Sequence, residues 1–117
     1  MTFPEAIALL QHGVMVREHH WDQGEYVYYH PDFEDAIYKS GPRCRGCFLS
    51  GKGCSASCAE PYKITNGDLQ SDDWETLENH YDDLVEARNR SLSRRETTRL
   101  NILISFVKNV LSQQMAR

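Results

Sequence analysis

Four cysteines lie within fifteen residues of this chain, and the chain has no others. Their spacing is C-x2-C-x6-C-x3-C, formed by Cys44, Cys47, Cys54 and Cys58. Thiolates in two close pairs, joined by a short loop rich in glycine and small residues, can converge on one ion with little loop-closure cost. Because four thiolates complete a tetrahedral site and leave no open position, the pattern predicts a structural Zn²⁺ ion as cofactor.

An iron–sulfur cluster and disulfides or free thiols are the alternatives for these cysteines. The spacing differs from the usual ferredoxin runs, which disfavours a cluster. Disulfides are typical of secreted proteins, but residues 1–5 lack the basic start of a signal peptide and the apolar run over 6–10 is too short for one. No window approaches the roughly 18 apolar residues that a membrane span needs. We therefore expect a cytoplasmic protein with reduced thiols.

Charge is segregated along the 117 residues. The formal net charge of −4 argues against a general nucleic-acid binder. However, residues 68–86 hold eight acids and no Lys or Arg, whereas residues 88–99 hold five arginines and one acid. A basic group also surrounds the cysteines, namely Lys39, Arg43, Arg45, Lys52 and Lys63. These segments are either solvated faces and helix ends, or surfaces that meet an anion or an oppositely charged segment of another copy.

The N-terminal segment carries the signals of a helix. A capping box of Thr2 and Glu5, apolar residues at helical spacing and a stop at Gly13 predict a helix over about 3–12.

Strand patterns follow this helix. Alternating residues over 14–17 and 25–30, separated by a polar turn, predict an antiparallel hairpin. Residues 33–40 are expected to re-enter the sheet, and 62–65 to add a strand that an Asn-Gly turn closes.

Helical periodicity dominates the last third of the chain. It predicts one helix from about Asp73, capped at Ser71 or Asp72, and a second opened by a Ser93–Glu96 capping box. The second helix is apolar more widely than one core face requires, because Ile102 and Phe106 lie off the main stripe. Such a surplus indicates either contact with another subunit or deep packing on the chain's own domain, and we favour the oligomer.

Together these elements predict an α+β fold with an N-terminal helix on a small antiparallel sheet, a zinc-stapled loop and C-terminal helices. We expect a small α+β domain over 1–77, with the zinc loop at 44–58, and an oligomerising helical extension over 78–117.

Two segments together resemble the Thoeris anti-defence type 2 family of small phage proteins, over roughly residues 2–29 and 62–77. In the first segment the matching residues are Phe3, Ala6, Leu10, Gly13, Val16, Arg17, Trp21, Gly24 and Tyr26. In the second they are Thr65-x-x-Asp68-Leu69 and Asp73-Trp74-Glu75. The family's Asp-Trp segment leads into a final strand, whereas the periodicity here favours a helix.

The resemblance implies a non-enzymatic sponge in the host cell cytoplasm. Members of the family sequester a cyclic signalling nucleotide, of the cyclic ADP-ribose type or a cyclic oligonucleotide, without cleaving it. They do so as homo-oligomers whose pockets lie between subunits. The chain also carries no Gly-rich phosphate loop, nucleophile motif or paired-histidine metal motif, so we predict no catalytic residue.

Four residues are candidates for binding such a ligand. An aromatic face stacks on a nucleobase for about 1–3 kcal/mol, which points to Trp21, Tyr26 and Trp74. Arg17 could pair with a phosphate through its planar guanidinium. The alternative for each aromatic is packing within a hairpin or core.

Histidines and the charged segments leave a second interpretation open. Adjacent His19 and His20 would point to opposite sides of an extended chain and cannot easily share one ion, so we interpret them, with His30, as surface residues. The second hypothesis is a zinc-stapled interaction protein that binds a host or phage protein, or nucleic acid, through its basic loop and last helix.

Overall fold

The computed structural model describes residues 1–29, 37–41 and 60–115. The four cysteines and His30 lie outside the described residues, so the zinc-stapled part of the predicted fold does as well. In chain order the elements are α1 (Phe3–Gln11), β1 (Val16–Glu18), β2 (Tyr26–Tyr29), β3 (Ile37–Ser40), β4 (Glu60–Pro61), α2 (Asn66–Gln70), β5 (Trp74–Thr76), α3 (Leu77–Arg90) and α4 (Arg94–Met115). The predicted α+β architecture is confirmed as an N-terminal helix, a five-stranded antiparallel sheet and two C-terminal helices.

The strands form one antiparallel sheet in the order β4-β3-β2-β1-β5. The predicted hairpin is β1 with β2, in which Val16 pairs with Val27. The final strand β5 pairs with the other edge of β1, so that Arg17 lies opposite Glu75. The two segments that carry the family resemblance, residues 2–29 and 62–77, are therefore neighbours in the sheet through β1 and β5.

The capping signals predicted at the starts of α1 and α4 agree with the structure. The capping box of Thr2 and Glu5 opens α1, and Gly13 ends it with a positive φ of 86°. At the start of α4, the backbone N–H of Glu96 donates to the Ser93 hydroxyl over 3.4 Å. Local hydrogen bonds of this kind depend only on neighbouring residues, which explains why the sequence reveals them.

Two predicted elements are wrong in their placement. Residues 62–65 do not form a strand. Glu60–Pro61 pair with β3, the Tyr62 N–H adds one hydrogen bond to the Ile37 carbonyl, and Thr65 then caps α2 with its hydroxyl. The helix predicted from about Asp73 begins at Leu77 instead. Three of its first four expected residues, Trp74–Thr76, are β5, paired with β1, and the cap is Thr76 rather than Ser71 or Asp72, because its hydroxyl accepts from the Asn79 N–H.

Each face of the sheet is covered by helices. On one face, α1 packs on a core of Ala6, Leu10, Val16, Val27 and Trp74. On the other face, α3 and α4 pack on a core of Tyr26, Leu77, Leu84, Leu100, Leu103, Ile104, Phe106, Val107 and Val110. The predicted alternation in β2 is confirmed, since Tyr26 and Tyr28 face the second core and Val27 and Tyr29 the first.

The apolar surplus on α4 is largely internal. Phe106 is fully buried against the sheet and α3, and Ile102 is half-buried. Deep packing on the chain's own domain therefore accounts for Phe106, and the inference of an oligomer from that residue was wrong. Homo-oligomerisation itself stays a prediction. Among the described residues, the large apolar side chains that are exposed are Leu69 and Leu92.

Candidate functional site

The segment between β1 and β2, residues 19–25, forms a tight connection that we call the Trp21 turn. Two backbone hydrogen bonds close it, from the Trp21 N–H to the Glu18 carbonyl and from the Glu25 N–H to the Asp22 carbonyl, both 3.1 Å. Gly24 has φ of +88°, a conformation that L side chains rarely adopt. The turn presents the Trp21 ring towards the α1 face of the sheet.

Arg17 holds the Trp21 turn from the opposite face. Its guanidinium donates to the carbonyl of Trp21 over 2.8 Å and reaches those of His19 and Asp22 over 3.4 Å each. Its Nε lies 3.1 Å from Glu75 Oε1 as an ion pair, although the two atoms are not aligned for a hydrogen bond. The side chain is only 1% exposed. Burial lowers the pKa of Arg17, and the Glu75 carboxylate opposes that shift.

His80 on α3 completes this support. The Gly24 N–H donates to His80 Nε2 over 3.0 Å, so Nε2 is the acceptor and the proton of the neutral ring is on Nδ1. Nδ1 faces Glu75 Oε1 at 3.8 Å. Burial, followed by the charge of Arg17, lowers the pKa of His80 to about 3. His80 is therefore neutral at physiological pH and can accept the Gly24 hydrogen bond.

On the α1 face, Trp21 stands in a group of four side chains that we call the Trp21 cluster, with Lys39, Tyr62 and Trp74. The rings of Tyr62 and Trp74 lie 5.5 and 5.6 Å from Trp21, both in edge-type contacts rather than parallel stacks. The Lys39 ammonium lies 3.9 Å from the Trp21 ring centroid, a cation–π contact, and 3.8 Å from Glu25 Oε2. Trp21 remains half-buried.

A buried pair of carboxyl groups underlies the Trp21 cluster. The Tyr62 hydroxyl donates to Asp68 Oδ2 over 2.7 Å, as does the Thr65 N–H over 2.9 Å, and Trp74 Nε1 donates to the Asp68 carbonyl. Burial raises the pKa of Glu18, which hydrogen-bonds to Asp68. Burial also opposes ionisation of Asp68, but the hydrogen bonds from Glu18, Thr65 and Tyr62 outweigh it and lower the pKa of Asp68. Asp68 is thus the ionised partner and fixes Tyr62 and Trp74.

The structure brings together only two of the four predicted ligand residues. Trp21 and Trp74 share the Trp21 cluster, while Arg17 and Tyr26 lie on the opposite face. Arg17, Tyr26 and Trp74 are buried, and Trp21 is the half-exposed member. Ligand binding by these four residues stays a prediction, as does metal binding by the cysteines.

Lys39 and Tyr62 are the members that sequence reasoning missed. Both lie far from Trp21 in the sequence. The β2–β3 register pairs Lys39 with Val27, and this pairing places Lys39 on the same face of the sheet as Trp21. A half-exposed indole can stack on a planar base, and an ammonium beside it can neutralise a nearby phosphate.

Within the described residues, no helix is both long and apolar enough to cross a membrane.

Comparison with known proteins gives one match. The family model of the Thoeris anti-defense 2-like (Tad2-like) domain matches residues 1–77. No curated protein and no solved structure shows a significant match to the chain. The matched region contains β1 to β5, the Trp21 turn and every member of the Trp21 cluster. Since it spans about two thirds of the 117 residues, the chain belongs to the Thoeris anti-defense 2-like family.

Proposed function

We propose that this protein is a phage counter-defence sponge, which sequesters a cyclic signalling nucleotide in the host cytoplasm and does not cleave it. The ligand is of the cyclic ADP-ribose type or a cyclic oligonucleotide. The observation that carries the proposal is the family match over residues 1–77, which encloses the Trp21 cluster. A sponge needs only a site that binds tightly, and stacking with charge neutralisation is the chemistry that the Trp21 cluster offers.

Trp21 and Lys39 are the proposed contact residues. The base stacks on the exposed part of the Trp21 ring, and the Lys39 ammonium exchanges Glu25, which is 3.8 Å away, for a ligand phosphate. Trp74 packs against the Trp21 ring in an edge-type contact, with the ring centroids 5.6 Å apart. Arg17 acts as a positioning residue, since its donors go to the Trp21 turn. Tyr26 lies in β2, the strand that follows the Trp21 turn, and packs in the core that α3 and α4 cover.

A homo-oligomer would complete the pocket. Leu69 is 52% exposed and directly follows Asp68, the residue that fixes Tyr62 and Trp74. A second copy packing on α2 would cover Leu69, next to the residue that contacts Tyr62 and Trp74 of the Trp21 cluster. This arrangement matches the pockets between subunits that the family resemblance implies.

A structural Zn²⁺ at Cys44, Cys47, Cys54 and Cys58 is part of the proposal. Lys39 and Glu60 are paired across β3 and β4, so the segment that carries the cysteines begins and ends at adjacent positions of the sheet. Lys39 is also a member of the Trp21 cluster, which puts the base of that segment beside the proposed pocket. Metal analysis of the purified protein should find zinc, and Cys47→Ser should lower the zinc content by one ion per chain.

Binding to matched variants tests the ligand site. Titration of the full chain with cyclic ADP-ribose species and cyclic oligonucleotides should quench Trp fluorescence with micromolar or tighter affinity. Trp21→Leu should weaken binding about five- to 150-fold, by loss of a stack worth about 1–3 kcal/mol, whereas Trp21→Phe should retain most of the affinity.

Lysine variants provide the matched control for charge. Lys39→Met should weaken binding and reduce its salt dependence, whereas Lys63→Met, an exposed lysine outside the Trp21 cluster, should not. Equal affinity for the Trp21→Leu and wild-type proteins would exclude the Trp21 cluster as the site. Failure of every nucleotide to bind would remove the sponge function.

A second function is favoured by the tip of the α3–α4 hairpin. Leu92 is fully exposed there, and Arg90, Arg94, Arg95 and Arg99, which lie within seven residues of it in sequence, are exposed as well. An exposed apolar side chain near several arginines suits a protein or nucleic-acid partner. Because α4 supplies much of the core, deletion of residues 93–117 is unsuitable as a control. Pull-down with Leu92→Ser and Arg94→Ser should lose the partner, and recovery that is unchanged would exclude the tip.

A further inference from the structure

Three elements bring His19, Glu75 and Asp83 together on the face of the sheet that α3 covers. His19 follows β1, Glu75 lies in β5 and Asp83 lies in α3. Their potential ligand atoms, one from each side chain, all lie within 4.8 Å of one another. We propose that these three residues form a binding site for a divalent first-row metal ion, separate from the cysteines.

The distances suit coordination. His19 Nδ1 lies 3.3 Å from Glu75 Oε2. Ligands bound at about 2.0–2.1 Å to a tetrahedral ion are separated by about 3.4 Å, so this pair already has the spacing of one tetrahedral edge. Asp83 is within 4.8 Å and, being exposed on a helix, can close the remaining distance by a rotamer change.

Neighbouring groups hold the ligands in place. Glu75 Oε1 pairs with Arg17, which leaves Oε2 turned towards His19. The backbone of His19 is fixed at both ends, because its N–H donates to the Asp73 carbonyl over 2.9 Å and its carbonyl accepts from Arg17. Ligands held by such surrounding hydrogen bonds and ion pairs need little reorganisation when an ion arrives.

Local charge favours a cation in spite of Arg17. The carboxylates that act on Arg17 are those of Glu75, Glu25, Asp22 and Asp83. Glu25 also pairs with Lys39, so Glu75, Asp22 and Asp83 are the three carboxylates set against one guanidinium, and a negative excess remains for an ion. His19 is 71% exposed and Asp83 is exposed, so the site is open to solvent and its remaining coordination positions can take water or an anionic oxygen.

The ligand set indicates the class of metal. One imidazole and two carboxylates suit Mn²⁺, Fe²⁺ or Zn²⁺, whereas the four cysteines present soft thiolates. Mn²⁺ therefore discriminates between the two sites. The proposed site lies on the opposite face of the sheet from the Trp21 ring and does not depend on nucleotide binding. It joins the Trp21 turn to α3.

Electron paramagnetic resonance of Mn²⁺ tests the site with the full chain and without nucleotide. We expect saturable binding of one Mn²⁺ per chain. His19→Ala and Asp83→Asn should each weaken it at least about tenfold. Neither substitution removes a hydrogen-bond acceptor of Arg17, since the atom of His19 that Arg17 contacts is the backbone carbonyl and Asp83 acts on Arg17 through its charge alone.

Adjacent residues give matched controls. His20→Ala and Asp82→Asn make the same chemical changes one position away, at exposed side chains outside the cluster. They should leave Mn²⁺ affinity unchanged. The proposal is overturned if wild-type protein shows no saturable binding, if Asp83→Asn binds as well as wild type, or if the controls lose affinity equally.

Discussion

Replacing Arg17 by Met should destabilise the protein strongly even in the absence of ligand. The substitution keeps most of the apolar stem but removes the donors that hold the Trp21 turn. It also leaves Glu75 without its ion-pair partner at 3.1 Å and deprives the Trp21 carbonyl of a 2.8 Å hydrogen bond. Breaking a buried ion pair costs about 3–5 kcal/mol. Because Glu75 is 13% exposed and can turn towards His19, we expect the lower end, about 3 kcal/mol.

Urea unfolding followed by circular dichroism measures this cost. In thermal unfolding of a chain of this size, the same loss of about 3 kcal/mol corresponds to a fall in Tm of roughly 12 °C. Arg90→Met is the matched control, because Arg90 forms an exposed i,i+4 pair with Glu86 and should cost about 0.5 kcal/mol or less.

A double-mutant cycle separates the pair from its surroundings. The double variant Arg17→Met/Glu75→Gln should lose at least about 1 kcal/mol less unfolding free energy than the sum of the losses of the two single variants. If Arg17→Met is no more destabilising than Arg90→Met, its guanidinium does not support the turn and remains free for a ligand phosphate, which refutes the reasoning.

Other substitutions test the packing, the cap and the titration. Phe106→Ala should cost about 3–5 kcal/mol in urea unfolding because the ring is fully buried, whereas Leu92→Ala at the exposed hairpin tip should cost almost nothing. Thr76→Ala should cost about 1 kcal/mol by removing the cap of α3, and Thr98→Ala, whose hydroxyl bonds only within α4, should cost less. His80 has a folded pKa of about 3, below its unfolded value of about 6.5, so its stabilisation is complete above the unfolded pKa and is lost as pH falls. Without added divalent cations, lowering the pH from 7 to 5 should therefore reduce stability by about 1–2 kcal/mol, and His80→Asn should remove that part of the slope.

Sequence patterns predicted the elements that depend on near neighbours. The capping box at Thr2, the cap at Ser93, the stop at Gly13 and the alternation in β2 each involve residues a few positions apart. Their physical cause is local, so a single sequence carries the whole signal. The family resemblance implied a final strand, but we followed the helical periodicity around Trp74, and the predicted helix was wrong over Trp74–Thr76.

Long-range pairing explains what the sequence did not reveal. Strand β5 has three residues, too few for a periodic signal, and exists because it pairs with β1. The same pairing puts Glu75 beside Arg17. The sequence suggested Arg17 as a phosphate-binding residue, and in the structure its guanidinium donates to the Trp21 turn. Lys39 reaches Trp21 only through the β2–β3 register.

Burial of Phe106 has a similar origin. Its position off the main apolar stripe indicated a partner, but α4 packs against both α3 and the sheet, and a helix with two neighbours needs a wider apolar surface. Periodicity describes the helix alone and does not count its neighbours.

Native mass spectrometry of the purified full chain, incubated with cyclic ADP-ribose species and cyclic oligonucleotides, tests the sponge function most directly. We expect a complex with one class of cyclic nucleotide at micromolar concentration, and heat release should return that nucleotide chemically unchanged. Trp21→Leu should retain less of it than the wild-type protein at the same concentration. Absence of any retained nucleotide, or recovery of a linear cleavage product, would contradict the proposed function.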